Sequence, residues 1–81
     1  MNLDTVRAAA REIVAGMVGS AVDDDDSLIV TGRIDSLSIL TLIKKLEEKL
    51  GISMPASQLQ PEDFDTIDLI VETVERVGRP K

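Results

Sequence analysis

A serine hydroxyl can act as a nucleophile, a helix cap or an attachment point. Ser36 stands where all three uses are open. It lies in the run Gly32-Arg33-Ile34-Asp35-Ser36-Leu37, where an acidic stretch gives way to an amphipathic pattern. A catalytic serine needs a base to take its proton. The chain has no histidine, so the usual triad cannot form. A lysine base would have to be buried and desolvated, yet Lys44, Lys45 and Lys49 fall on the polar side of the following pattern. Asp35 adjoins Ser36, but an ordinary carboxylate is a poor base for a hydroxyl and suits a helix N-cap better. The sequence therefore offers no self-contained serine catalysis. On the dipeptide alone, Asp35-Ser36 reads as a helix cap, which contributes about 1 kcal/mol.

The second group with chemical potential is the run Asp23 to Asp26. A Ca²⁺ loop of the EF-hand type starting at Asp23 would need glycine at its sixth position and glutamate at its twelfth. Leu28 and Ile34 stand there, so that motif is absent and no metal site is expected. The run reads as a solvated loop of mutually repelling charges.

The elements that position these residues must come from a small chain. Eighty-one residues suit a single domain spanning 1–81. With 43% hydrophobic and 30% charged residues, the composition is globular rather than disordered. Phe64 is the only aromatic residue, so the core must be aliphatic. The formal charge of −6 argues against nucleic acid as a partner, because phosphates would be repelled. The absence of cysteine removes disulfides and thiolate metal sites. No signal-peptide pattern and no membrane-spanning run are visible. A cytoplasmic monomer is the expectation.

Periodicity predicts an all-α bundle of three main helices plus a short helical turn. Leu3, Val6, Ala10, Ile13, Val14 and Met17 share one arc, giving a helix over about 3–18. Residues 20–35 show no helical period and form a long loop, a type of connection that is often functional. Leu28-Ile29-Val30 would anchor that loop to the core, and no second segment offers it a strand partner. The second helix covers about 36–50, with Ile39, Leu42, Ile43, Leu46 and Leu50 on one face and Gly51 past its end. Ile52-Ser53-Met54-Pro55 is extended. Pro61-Glu62-Asp63 starts a short turn over 61–64. Asp65 or Thr66 caps a third helix over about 66–77, closed by Gly78-Arg79-Pro80. The predicted core includes Val6, Ile13, Ile39, Ile43, Leu46, Phe64, Ile67, Ile70 and Val74.

The wheel of the second helix puts Leu37 opposite the core arc. It groups Leu37 with Thr41, Lys44, Lys45 and Glu48 on the outer face, beside Ser36. Single exposed leucines are ordinary, so Leu37 gains meaning only from its neighbour.

The chain resembles the acyl, peptidyl and D-alanyl carrier proteins. The resemblance is carried by Leu28-Ile29-Val30-Thr31-Gly32-Arg33-Ile34-Asp35-Ser36-Leu37, by Leu46-Glu47-Glu48-Lys49-Leu50-Gly51-Ile52, by Met54-Pro55, and by Phe64-Asp65-Thr66-Ile67. It covers nearly the whole chain and is weakest over the first twenty residues. It implies that Ser36, flanked by Asp35, receives 4′-phosphopantetheine from coenzyme A through a separate Mg²⁺-dependent phosphopantetheinyl transferase. Acyl or aminoacyl groups would then ride on the arm as thioesters. The transferase would bring base and metal, so the carrier would need neither histidine nor cysteine and would itself be no enzyme. The resemblance also makes Leu37 a small apolar anchor for partner enzymes.

The match has one departure. Fatty-acid-type carriers are strongly acidic on the second helix. Here three lysines, Lys44, Lys45 and Lys49, oppose two glutamates, Glu47 and Glu48, for a formal +1. That points to carriers loaded by AMP-forming acyl or aminoacyl ligases, the D-alanyl and peptidyl types among them, which pass cargo to an acyltransferase or condensing enzyme. The competing expectation is an unmodified helical interaction module in which Asp35-Ser36 is only a cap.

Overall fold

The computed structural model describes residues 2–81. Asn2 starts the first helix, its side chain accepting the Asp4 N–H at 2.7 Å. Helix α1 then runs Leu3–Val18 and buries Val6, Ala9, Ala10 and Val14. The loop follows, and α2 covers Ser36–Leu50. Past its end Gly51 takes the left-handed conformation at φ 64°, where its N–H closes on the Glu47 carbonyl. Two short 3₁₀ turns, Ala56–Gln58 and Pro61–Phe64, lead to α3, Ile67–Val77. Thr66 is the cap of α3, its hydroxyl accepting the Leu69 N–H at 3.0 Å.

Helix α1 packs against both α2 and α3. Phe64, Leu28, Leu42 and Leu46 are fully buried where these elements meet. The aliphatic core predicted from the sequence forms, with two shifts. Ile13 and Ile43 are only partly buried and pack on the core's edge. Each borders a surface groove: Ile13 lies beside the α1–α2 groove with Met17 and Lys45, and Ile43 lines the groove below Ser36. Leu28, Ile34, Ile52 and Met54 complete the interior from segments without helical period.

A small element escaped the periodicity. Strands β1 (Ile52–Ser53) and β2 (Arg79–Pro80) pair antiparallel, with Ile52 opposite Pro80 and Ser53 opposite Arg79. Lys81 N–H adds a bond to the Gly51 carbonyl at 3.1 Å. Gly78 closes α3 as expected, its N–H bonding the Val74 carbonyl at 2.9 Å, and Arg79-Pro80 continue as an edge that ties this segment to the exit of α2. Leu28-Ile29-Val30 lies in turns rather than a strand.

The acidic loop is not simply solvated. Asp24 is held between two arginines of α1. Arg11 grips it through Nε and Nη2 at 2.9 and 2.7 Å, and Arg7 Nη1 reaches it at 2.7 Å. Arg7 Nη1 also donates to Asp68 of α3 at 2.6 Å. The expectation of uniform self-repulsion is corrected at this residue, because Arg7 and Arg11 stand one turn apart and present adjoining guanidinium groups. Among the described residues, no helix is long and apolar enough to cross a membrane.

Candidate functional site

The start of α2 divides its work between two residues. Asp35 is the cap: its backbone is extended, and its Oδ1 accepts the Ser38 N–H at 2.8 Å. Ser36 is the first helical residue. Its side chain is exposed, and among the described residues its hydroxyl has no hydrogen-bond partner. Capping therefore does not explain Ser36.

The same geometry settles the base. The Ser38 backbone N–H, followed by the Ser38 side chain, holds the Asp35 carboxyl below the usual carboxylate range. An already well-satisfied carboxylate is a still weaker base for the neighbouring hydroxyl. What remains is a primary hydroxyl open to an external enzyme, at the helix end where the dipole favours negative charge. Those properties fit a phosphodiester-linked group. The residues that would carry and flank it are Ser36 and Asp35.

Leu37 is 77% exposed, as the wheel predicts, and Thr41, Lys44, Lys45 and Glu48 are exposed too. Lys45 sits at the margin of this face, lining the α1–α2 groove with Glu48. Among the described residues neither Lys44 nor Lys45 has an ion-pair partner, whereas Lys49 pairs with Glu12 at 3.2 Å. Leu40 is 65% exposed and was not singled out from the sequence. Its spacing of three from Leu37 was the available signal.

A groove of about 160 Å³ opens beside Ser36. Ile39, Leu40 and Ile43 of α2 form one wall, and Leu59, Pro61 and Phe64 form the other. The two 3₁₀ turns thus build an apolar trough directly below the serine, which helical periodicity alone does not reveal.

The loop that delivers the chain to Ser36 is held by Asp65. Its Oδ1 accepts Ser27 Oγ–H at 2.7 Å and Ile29 N–H at 3.0 Å, while its carbonyl accepts Leu28 N–H at 2.6 Å. The Ser27 hydroxyl first, and then the Ile29 N–H, lower the Asp65 pKa. The sequence offered Asp65 only as an alternative cap of α3. Asp23, Asp25 and Asp26 bring carboxylate oxygens within 4.8 Å of one another, but Asp26 already accepts the Asp23 N–H at 2.9 Å and meets Arg33 at 3.5 Å.

The sequence has counterparts among known proteins. The chain is 33% identical over 79 residues to D-alanyl carrier protein 1 of Lactiplantibacillus plantarum, covering 95% of this chain and 99% of that protein. It is 34% identical over 71 residues to the D-alanyl carrier protein of Streptococcus gordonii, covering 85% and 90% of the two chains. It is 29% identical over 72 residues to that of Leuconostoc citreum, covering 86% and 92%. The family model described as the phosphopantetheine attachment site matches residues 4–74, from the first turn of α1 to the last turns of α3. The family model spans most of the chain and the first relative is matched over nearly its full length, so this chain belongs to the phosphopantetheine-attachment family of carrier proteins.

Proposed function

We propose that Ser36 carries the 4′-phosphopantetheine arm and that residues 1–81 work as one carrier domain for acyl or aminoacyl thioesters, with D-alanyl as the first cargo to test. The observation that carries this reading is the free, exposed Ser36 hydroxyl beside a cap supplied by Asp35. The names of the relatives point to the cargo. When attached, the group supplies a flexible arm ending in a thiol, on which cargo is held as a thioester.

The chain's own part is presentation. Asp35 fixes the helix start, and the Ser36 oxygen is open to a phosphopantetheinyl transferase whose own base takes its proton. An AMP-forming ligase then loads the arm, and an acyltransferase or condensing enzyme unloads it. These partners work with a monomeric carrier in the cytoplasm. They meet the outer face of α2, where Leu37 and Leu40 offer apolar contact and Lys44 and Lys45 offer charge that is unpaired among the described residues. Thr41 and Glu48 complete that face. Partners with basic docking patches are disfavoured there, since like charges repel at close range.

The test is loading. The protein is first incubated with coenzyme A and a carrier transferase, then with ATP, D-alanine and an AMP-forming D-alanine ligase. The expected product is a hydroxylamine-labile D-alanyl adduct that forms on the arm-bearing protein and is absent from Ser36→Ala. If the arm is gained but D-alanine is refused while another amino or fatty acid is accepted by its own ligase, the cargo assignment is wrong. If no carrier transferase adds the arm, the chain is an unmodified interaction module.

A further inference from the structure

We infer that Asp65 is a positioning residue for the modification of Ser36, holding the segment 27–34 in the conformation that a transferase must meet. The inference rests on the reading of Ser36 as the attachment site.

The segment is knit to itself. Thr31 Oγ1–H donates to the Ser27 carbonyl at 2.6 Å, Gly32 N–H to the Ile29 carbonyl at 3.0 Å, and Ile34 N–H to the Leu28 carbonyl at 3.0 Å. Gly32 sits at φ 74°, the left-handed region that lets the turn close. Asp35 and Ser36 follow Ile34 immediately.

Outside the acidic loop, this unit is moored by hydrogen bonds at one place. Among the described residues, Arg33 reaches Asp26 of the acidic run at 3.5 Å, and every other hydrogen bond from the segment to the rest of the fold goes to Asp65: Ser27 Oγ and Ile29 N to the carboxylate, Leu28 N to the carbonyl. Asp65 is itself fixed. Phe64 before it is fully buried, and Thr66 after it caps α3. A continuous path therefore runs from the base of α3 through Asp65, Leu28 and Ile34 to the helix start that bears Ser36. Leu28 and Ile34, both buried, keep the segment against the core, but apolar contact is non-directional. The Asp65 bonds fix its orientation.

A loosened segment reduces the fraction of carrier ready to bind, which raises the apparent KM for the carrier and leaves the rate at saturation alone. Both donors to the side chain converge on Oδ1. An asparagine carbonyl can accept both, so Asp65→Asn should behave as the wild type does, whereas Asp65→Leu removes both bonds.

The experiment measures phosphopantetheinyl transfer to the full chain at varied carrier concentration. Variants are Asp65→Asn, Asp65→Leu, Ser27→Ala and, as a control of comparable stability loss, Val77→Ala, each at a temperature where it is folded by circular dichroism. The expected result is a KM raised at least about fivefold for Asp65→Leu and about twofold for Ser27→Ala, with kcat within about twofold and both parameters restored in Asp65→Asn. Wild-type KM in folded Asp65→Leu overturns the inference. So does an equal KM rise in Val77→Ala, which would make the effect one of stability alone. If Asp65→Leu does not fold, Ser27→Ala decides, and a wild-type KM in that variant overturns it. A wild type that no transferase modifies would instead overturn the Ser36 reading, which separates the two failures.

Discussion

Asp35 accepts the Ser38 N–H at 2.8 Å, and that bond frees Ser36 from any capping duty. Both residue types favour helix caps, so the dipeptide alone leaves their roles open. The cap falls to aspartate, and among the described residues the serine hydroxyl has no hydrogen-bond partner. Asp35→Ala should therefore cost about 1 kcal/mol of stability, while Ser36→Ala should cost less, because alanine is a better helix former than serine. Urea unfolding of the two variants checks the ranking.

The Asp24 network gives the fold a defined acid sensitivity. Its hydrogen bonds to Arg11 first, and then to Arg7, lower the Asp24 pKa to about 2. The folded value lies below the unfolded one, so the contribution is fully present above about pH 4 and is lost as pH falls through about 2. Asp24→Asn should be less stable by about 1 kcal/mol at neutral pH, since the cluster is partly exposed. The difference should shrink in 1 M NaCl through screening. Equal melting temperatures at low salt would show that the network contributes nothing.

Phe64 should dominate the core. Its ring is fully buried, and its residue lines the groove below Ser36. Phe64→Ala should destabilise by about 3–5 kcal/mol, which can unfold so small a domain. Chemical denaturation monitored by far-UV circular dichroism measures it.

The outer face of α2 should control partner choice. Leu37→Ala and Leu40→Ala should each slow loading by the cognate ligase by a few fold without lowering the melting temperature, because both side chains are mostly exposed. Lys44→Glu with Lys45→Glu should weaken the cognate pairing and improve acceptance by enzymes with basic docking patches. Unchanged loading in all three variants would move recognition to the loop before Ser36.

The helices were legible because each repeats apolar residues at helical spacing and has a recognisable cap or stop. Leu3 to Met17, Ile39 to Leu50 and Ile67 to Val77 carry that signal in one dimension. Ser36 and Leu37 were legible for the same reason, since a helix start and a wheel are local properties. The β1–β2 pair was not. Two-residue strands leave no alternation to read, and Pro80 looks like a terminator rather than a strand member. The roles of Asp24 and Asp65 were not legible because their partners lie far away in sequence. Arg7 and Arg11 share a face of α1, but only the folded chain brings Asp24 between them. Likewise Asp65 looks like a helix cap until Ser27 and Ile29 reach it.

On the proposed reading Ser36, and no other hydroxyl, receives the phosphopantetheine arm. The most direct measurement is intact-mass spectrometry of wild type and Ser36→Ala after incubation with coenzyme A, Mg²⁺ and a broad-specificity phosphopantetheinyl transferase, followed by peptide mapping. The expected result is one added phosphopantetheine on the wild type, mapped to the peptide containing Asp35-Ser36-Leu37, and an unchanged mass for a folded Ser36→Ala. A wild type left at its starting mass, or a Ser36→Ala variant that still gains the group, would contradict it.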